Sequence, residues 1–83
     1  MSVERVAVLG AGTMGHGIAQ VSAAAGWETR LFDVDEQALA KGMEAIRANL
    51  DGGVARGKLT EDARDHTLAR VSATTDLAAA VEG

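Results

Sequence analysis

Val6-Ala-Val-Leu-Gly-Ala-Gly-Thr-Met-Gly-His-Gly-Ile-Ala19 decides the fold of this chain. Its first four residues form an apolar run, the pattern of a strand buried on both faces in a parallel sheet. Gly10, Gly12 and Gly15 follow with the spacing G-x-G-x-x-G, and helical periodicity takes over at Thr13. Strand, glycine turn and helix start therefore come in that order, the context in which the spacing carries meaning.

Working outward, residues 3–9 are predicted as the first strand and residues 13–25 as a helix. Met14, Ile18, Val21 and Ala25 make one apolar stripe on that helix. Gly26 stands where a left-handed cap is expected, and residues 27–32 form the second strand. Asp35 is placed to cap a long amphipathic helix whose packing stripe is Leu39, Met43, Ile46, Leu50 and Val54. Gly52-Gly53 predicts a bend or an early stop near its end, because each glycine costs about 1 kcal/mol relative to alanine. Gly57 is a second candidate cap. Thr60-Glu-Asp opens another helix, running to about Ala69. Residues 70–74 give a third strand, and Asp76 caps a last helix over residues 77–82 that ends at Gly83. The order β-α-β-α-α-β-α implies an α/β fold with parallel strands and right-handed crossovers. It is the first half of a Rossmann-type sheet with strand order 3-2-1, spanning residues 1–83. The other half is absent, which leaves the first strand (Val6, Val8, Leu9) as an open edge and an association hazard.

The turn has a specific chemical use. Gly10 permits the tight exit from the strand, Gly12 lets the backbone approach a pyrophosphate, and Gly15 lets helix and strand pack closely. The helix start offers unpaired N–H groups and about half a positive charge to an anion. Asp33 closes the second strand, where a carboxylate can accept both hydroxyls of an adenosine ribose and would repel a 2′-phosphate. NAD is therefore favoured over NADP. Taken alone, Asp33 would also read as a helix cap or a solvated acid. His16 reads as an exposed residue of the first helical turn, and His66 as a solvated one. No nucleophile is paired with a base, and no histidines or acids recur at metal-ligand spacing, so neither a catalytic residue nor a metal site is assigned.

Composition narrows the alternatives. The apolar fraction is 47%, but alanine supplies 17 of those 39 residues, and Trp27 and Phe32 are the only aromatics. Such a core is thin for a chain of 83 residues. A net charge of −4 with no Lys/Arg run argues against nucleic acid as a partner. There is no cysteine, which excludes a disulfide framework and a thiolate metal site. The first apolar run is too short for a signal peptide, whose core needs roughly 7–15 residues, and nothing approaches a membrane span. A cytoplasmic location is the expectation.

The run Gly10-Ala-Gly-Thr-Met-Gly-His-Gly-Ile-Ala-Gln20 resembles the N-terminal NAD-binding domain of the 3-hydroxyacyl-CoA dehydrogenases. The likeness continues through Leu31-Phe-Asp-Val-Asp35, Asn49-Leu50, Arg56-Gly-Lys-Leu59 and Arg70-Val-Ser-Ala-Thr-Thr-Asp-Leu77. The pair of helices between the second and third strands is a further family trait.

The resemblance implies NAD as cofactor, with contacts at Gly10, Ala11, Gly12, Thr13, Met14, Gly15 and Asp33. It implies oxidation of the 3-hydroxyl of an acyl-CoA, as in fatty-acid or butanoate metabolism, by a parent that forms a homodimer. By position it brings coenzyme A against the helical pair at Asn49 and at Arg56 or Lys58, which also read as solvated basic residues at a helix end. The family's histidine base stands in an H-F-x-x-P-like context. Neither His16 nor His66 is followed by phenylalanine, and the chain has no proline. The chain therefore reads as a fragment without dehydrogenase activity of its own. Three rivals share parts of the pattern: a 3-hydroxyisobutyrate- or glycerol-3-phosphate-type dehydrogenase, a non-catalytic NAD-sensing module, and an FAD-binding half.

Overall fold

β1 (Arg5–Leu9), β2 (Glu28–Phe32) and β3 (Val71–Thr74) form one parallel sheet in the computed structural model, which describes residues 5–81. Side chains at positions 13 and 14 lie outside that description, as do Val3, Glu4, Glu82 and Gly83, read above as the ends of a strand and a helix. The order across the sheet is β1-β2-β3, with β2 in the middle. Between the strands come α1 (Thr13–Ala24), α2 (Glu36–Ala55) and α3 (Glu61–Ala69), and α4 (Leu77–Val81) follows β3.

Register sets which side chains meet. Val6 pairs with Thr29 and Val8 with Leu31, while Thr29 and Leu31 pair with Val71 and Ala73. In a parallel sheet these rows share one face. Val8, Leu31 and Val71 meet Ala19 and Ala23 of α1 and Leu39, Ile46 and Leu50 of α2 in a single core. Leu31 and Ile46 are fully buried at its centre. Leu31→Ala is expected to destabilise the fold by about 2–5 kcal/mol, lost transfer energy plus a cavity, measured as a lower urea midpoint. A cost under about 1 kcal/mol would mean that the core does not close around β2.

Three expectations change. First, the apolar stripe of α1 is not its packing face: Ile18 is 51% exposed and Val21 70%. The sheet is met instead by Ala19 and Ala23, both fully buried. Small side chains let the helix axis come close to the strands, so the larger residues point outward. Second, β1 is not buried on both faces. Only Val8 is buried, and Leu9 is 60% exposed. α1 and α2 cover one face, whereas α4, five residues long, lies against the other. Third, α2 does not stop at Gly52-Gly53 but runs to Ala55. The chain returns over Gly53, where a Cβ would lie 3.4 Å from Leu59 Cβ, and the side chain of Arg56, one turn on, folds back over Gly52, where a Cβ would lie 3.3 Å from its Nη1. Tertiary contact outweighs the propensity penalty there.

Caps account for the boundaries. Asp35 accepts from the Gln37 N–H at 2.9 Å, Thr60 from Ala63 at 3.1 Å and Asp76 from Ala78 at 2.9 Å. At the end of α1, Gly26 takes φ +101 while Gly26 N–H donates to Ala23 O and Trp27 N–H to Ser22 O, a Schellman closure. α2 closes in the same way around Gly57. Arg70 Nη1 donates to Ala23 O at 3.1 Å, tying α3 to the last turn of α1, where a cation is favoured. No helix among the described residues is long and apolar enough to cross a membrane.

Candidate dinucleotide site

The site grows from the C-terminal end of β1. Gly10 takes φ +104, a conformation that side chains disfavour, and its N–H donates to Phe32 O at 2.7 Å, one step beyond the strand. Ala11 is almost completely buried, and its N–H donates to Asp33 Oδ2 at 2.9 Å. Gly12 is the N-cap of α1, in extended backbone and without a side-chain cap. The first-turn N–H groups of Thr13, Met14 and Gly15 have no carbonyl one turn earlier in the helix to accept them, and they point out of the helix start.

The glycines answer to different neighbours. A Cβ on Gly15 would collide with the carbonyl of Gly10, lying 2.7 Å from its carbon. That glycine is required by the fold. A Cβ on Gly12 would meet nothing within 4 Å, and its φ of −63 suits any residue. The protein itself gives no reason for glycine at position 12. The open space in front of the helix start gives one, since a phosphate can approach only where no side chain stands. The residues present thus fit a dinucleotide.

Asp33 completes the arrangement. Its Oδ2 accepts from Ala11 and its Oδ1 from the Asp35 N–H at 2.9 Å, an Asx turn that leads into α2. The Ala11 and Asp35 N–H groups hold the carboxyl below its usual range, against a smaller opposing effect of burial. Asp33 is thus ionised and oriented at the mouth of the turn.

The sequence reading missed Gly42. It is buried in the middle of α2, and a Cβ there would lie 2.9 Å from Ala11 O and 3.2 Å from Ala11 Cβ. Its absence lets α2 press against the turn from below. The available signal was a glycine inside the most amphipathic helix of the chain. Beside it, a groove of about 360 Å³ runs between Gly12 and His16 on one wall and Ala38, Lys41 and Ala45 on the other. Nothing in the sequence pattern marked Lys41.

Other candidates fall elsewhere. His16 spends its ring on the helix: Nδ1 lies 3.0 Å from Gly12 O, where it donates. His66 is exposed in the last turn of α3. Asn49 Nδ2 donates to Gln20 Oε1 at 3.1 Å, bridging α2 to α1. Arg56 is the C-cap of α2 and Lys58 follows in the exposed turn to α3. Helical rise puts Arg56 roughly 20 Å along α2 from Gly42. The structure therefore gathers residues 10–15 with Asp33, and leaves Asn49 on the far half of α2 and Arg56 and Lys58 beyond its end.

Known proteins are similar to this chain in sequence and in fold. The family model for "3-hydroxyacyl-CoA dehydrogenase, NAD binding domain" matches residues 5–83. The chain is 43% identical over 77 residues to a 3-hydroxyadipyl-CoA dehydrogenase of Escherichia coli, covering 93% of the chain and 16% of that protein. It is 45% identical over 76 residues to a 3-hydroxybutyryl-CoA dehydrogenase of Mycobacterium tuberculosis, covering 92% of the chain and 27% of that protein. The crystal structure of an E. coli 3-hydroxybutyryl-CoA dehydrogenase superposes with a TM-score of 0.92 at 41% identity, covering all of this chain and 18% of the other. The chain thus spans about a sixth to a quarter of the length of these relatives. With an α/β fold, the glycine turn and the family match in agreement, this chain belongs to the NAD-binding domain family of the 3-hydroxyacyl-CoA dehydrogenases.

Proposed function

We propose that this chain is the pyrophosphate- and adenosine-binding part of an NAD-dependent dehydrogenase that oxidises (S)-3-hydroxyacyl-CoA to 3-ketoacyl-CoA. One observation carries the reading: the Asp33 carboxylate stands 2.9 Å from the backbone of the same turn that opens α1. A ribose-reading acid and a phosphate-binding helix start therefore lie side by side. In this reading the first-turn N–H groups hold the pyrophosphate, Gly10 and Gly15 set the turn, and Asp33 accepts the ribose hydroxyls. Ala11 is a positioning residue, since its own N–H is already given to Asp33. When bound, NAD supplies the two-electron oxidation of a secondary alcohol to a ketone.

The substrate class rests on the relatives and on the helical pair. An extended acyl-CoA would lie along α2 and α3, with Asn49 near the groove and Arg56 or Lys58 toward its phosphates. Homodimeric assembly, a cytoplasmic location and the absence of nucleic-acid partners complete the reading. They rest on the resemblance and on composition.

Calorimetry with NAD and NADP tests the cofactor assignment. The chain should prefer NAD, and Asp33→Ala should weaken NAD about tenfold, the worth of one or two hydrogen bonds to a charged acceptor, while narrowing the preference over NADP. Unchanged NAD affinity in the variant would reduce Asp33 to a structural acid.

A further inference from the structure

We propose that Asp33 is the clamp that presets the phosphate-binding turn, so that ribose recognition and phosphate recognition share one carboxylate. The inference rests on the dinucleotide reading above and deepens it. An ionised carboxylate offers about four acceptor positions. The protein itself takes up one on each oxygen through Ala11 N–H and Asp35 N–H, each at 2.9 Å, and Val34 N–H also bonds the same carboxyl. The remaining acceptor capacity is what a ribose hydroxyl can use.

The two backbone partners belong to different elements. Ala11 belongs to the turn between β1 and α1, and Asp35 caps α2 by accepting from Gln37. Asp33 thereby ties the phosphate turn to the start of the neighbouring helix. Ala11 is also held from its other side, where its carbonyl and methyl group rest against Gly42. With Ala11 fixed at both ends and Gly10 N–H on Phe32 O, the backbone leading into Gly12 has little freedom left. The turn is then already in shape before any phosphate arrives, and binding need not order it. It follows that removing the carboxylate should weaken ligands that have no ribose diol at all.

The test pairs the chain and Asp33→Asn with two ligands, ADP and 2′,3′-dideoxy-ADP, by calorimetry or ligand-detected NMR. The asparagine amide can accept only through its single oxygen and turns donors toward the other N–H. Asp33→Asn should weaken dideoxy-ADP by about fivefold or more, the scale of one lost hydrogen bond, in addition to its effect on ADP. Dideoxy-ADP binding within twofold of the unchanged chain, or tighter, would overturn the proposal and leave Asp33 a reader of the diol alone. A second measurement needs no ligand. The Ala11 amide should show a through-hydrogen-bond coupling to the Asp33 carboxyl carbon and slow exchange, which becomes at least about fivefold faster in Asp33→Asn. Fast exchange without coupling in the free chain would refute the clamp. Should neither nucleotide bind, the dinucleotide reading fails while the amide measurement still decides the clamp.

Discussion

Gly15→Ala is expected to lower the melting temperature of the chain by about 10 °C. Two effects oppose each other at this position. Alanine is the better helix former by about 1 kcal/mol, which on its own would favour the variant. Against this, the new methyl group would land on the carbonyl of Gly10, a backbone group at the exit of β1. Overpacking usually costs about 1–3 kcal/mol, and the higher end applies where the obstacle is backbone and cannot rotate away. The Gly10 carbonyl can move only if the turn opens, and the turn is pinned by Gly10 N–H on Phe32 O and Ala11 N–H on Asp33. The net loss should thus reach about 2 kcal/mol in a domain whose total stability is on the order of 4–12 kcal/mol by length. The thin core and open sheet edge point to the low end of that range. Circular dichroism melting should show a fall of about 10 °C or more, since 1 kcal/mol moves a domain of this size by roughly 4–8 °C. A melting temperature within about 2 °C of the unchanged chain would show that α1 does not pack this closely on β1.

Gly12→Val is expected to do the reverse: to abolish dinucleotide binding and keep the fold. The backbone at Gly12 is extended, which valine tolerates, and the space beyond its α-carbon is empty to 4 Å. The stability change should be limited to the poorer N-cap, about 1 kcal/mol. The valine side chain instead fills the approach to the first-turn N–H groups. Losing two charge-assisted hydrogen bonds from these groups amounts to about 3–6 kcal/mol, so affinity for NAD should fall by a hundredfold or more. Calorimetry beside a melting curve separates the two outcomes. Retained NAD affinity in a folded Gly12→Val chain would mean that the pyrophosphate does not sit at the start of α1.

Together these substitutions divide a motif that looks uniform in the sequence. Gly15 serves the packing of helix on strand and Gly10 the backbone turn with its φ of +104, while no contact within the protein calls for glycine at position 12. The spacing alone shows that glycines recur but not which pressure holds each one.

Much of the fold was legible because local signals agreed. Caps at Asp35, Thr60 and Asp76, and left-handed glycines at positions 26 and 57, set the ends of helices within a few residues. The faces of α1 were misread because periodicity detects an apolar stripe without saying what it touches. Ile18 and Val21 carry the stripe, but it is Ala19 and Ala23 that fit against the sheet. The end of α2 was misread for a related reason. The weakness of Gly52-Gly53 is local, whereas the contact at Gly53 comes from Leu59 after the chain has turned back.

The sequence by itself determined the strand–turn–helix unit and the parallel order, and it singled out Asp33 at the end of the second strand. These follow from residues close together in the chain, where glycine spacing, capping and hydrophobic period act directly. Only the tertiary structure decided that Asp33 reaches back 22 residues to hold Ala11, and that Gly42 supports the same residue from α2. Both contacts depend on β1 and β2 lying side by side and on α2 crossing beneath the turn. Distances between chain segments of that kind are set by packing and have no pattern in the sequence to announce them.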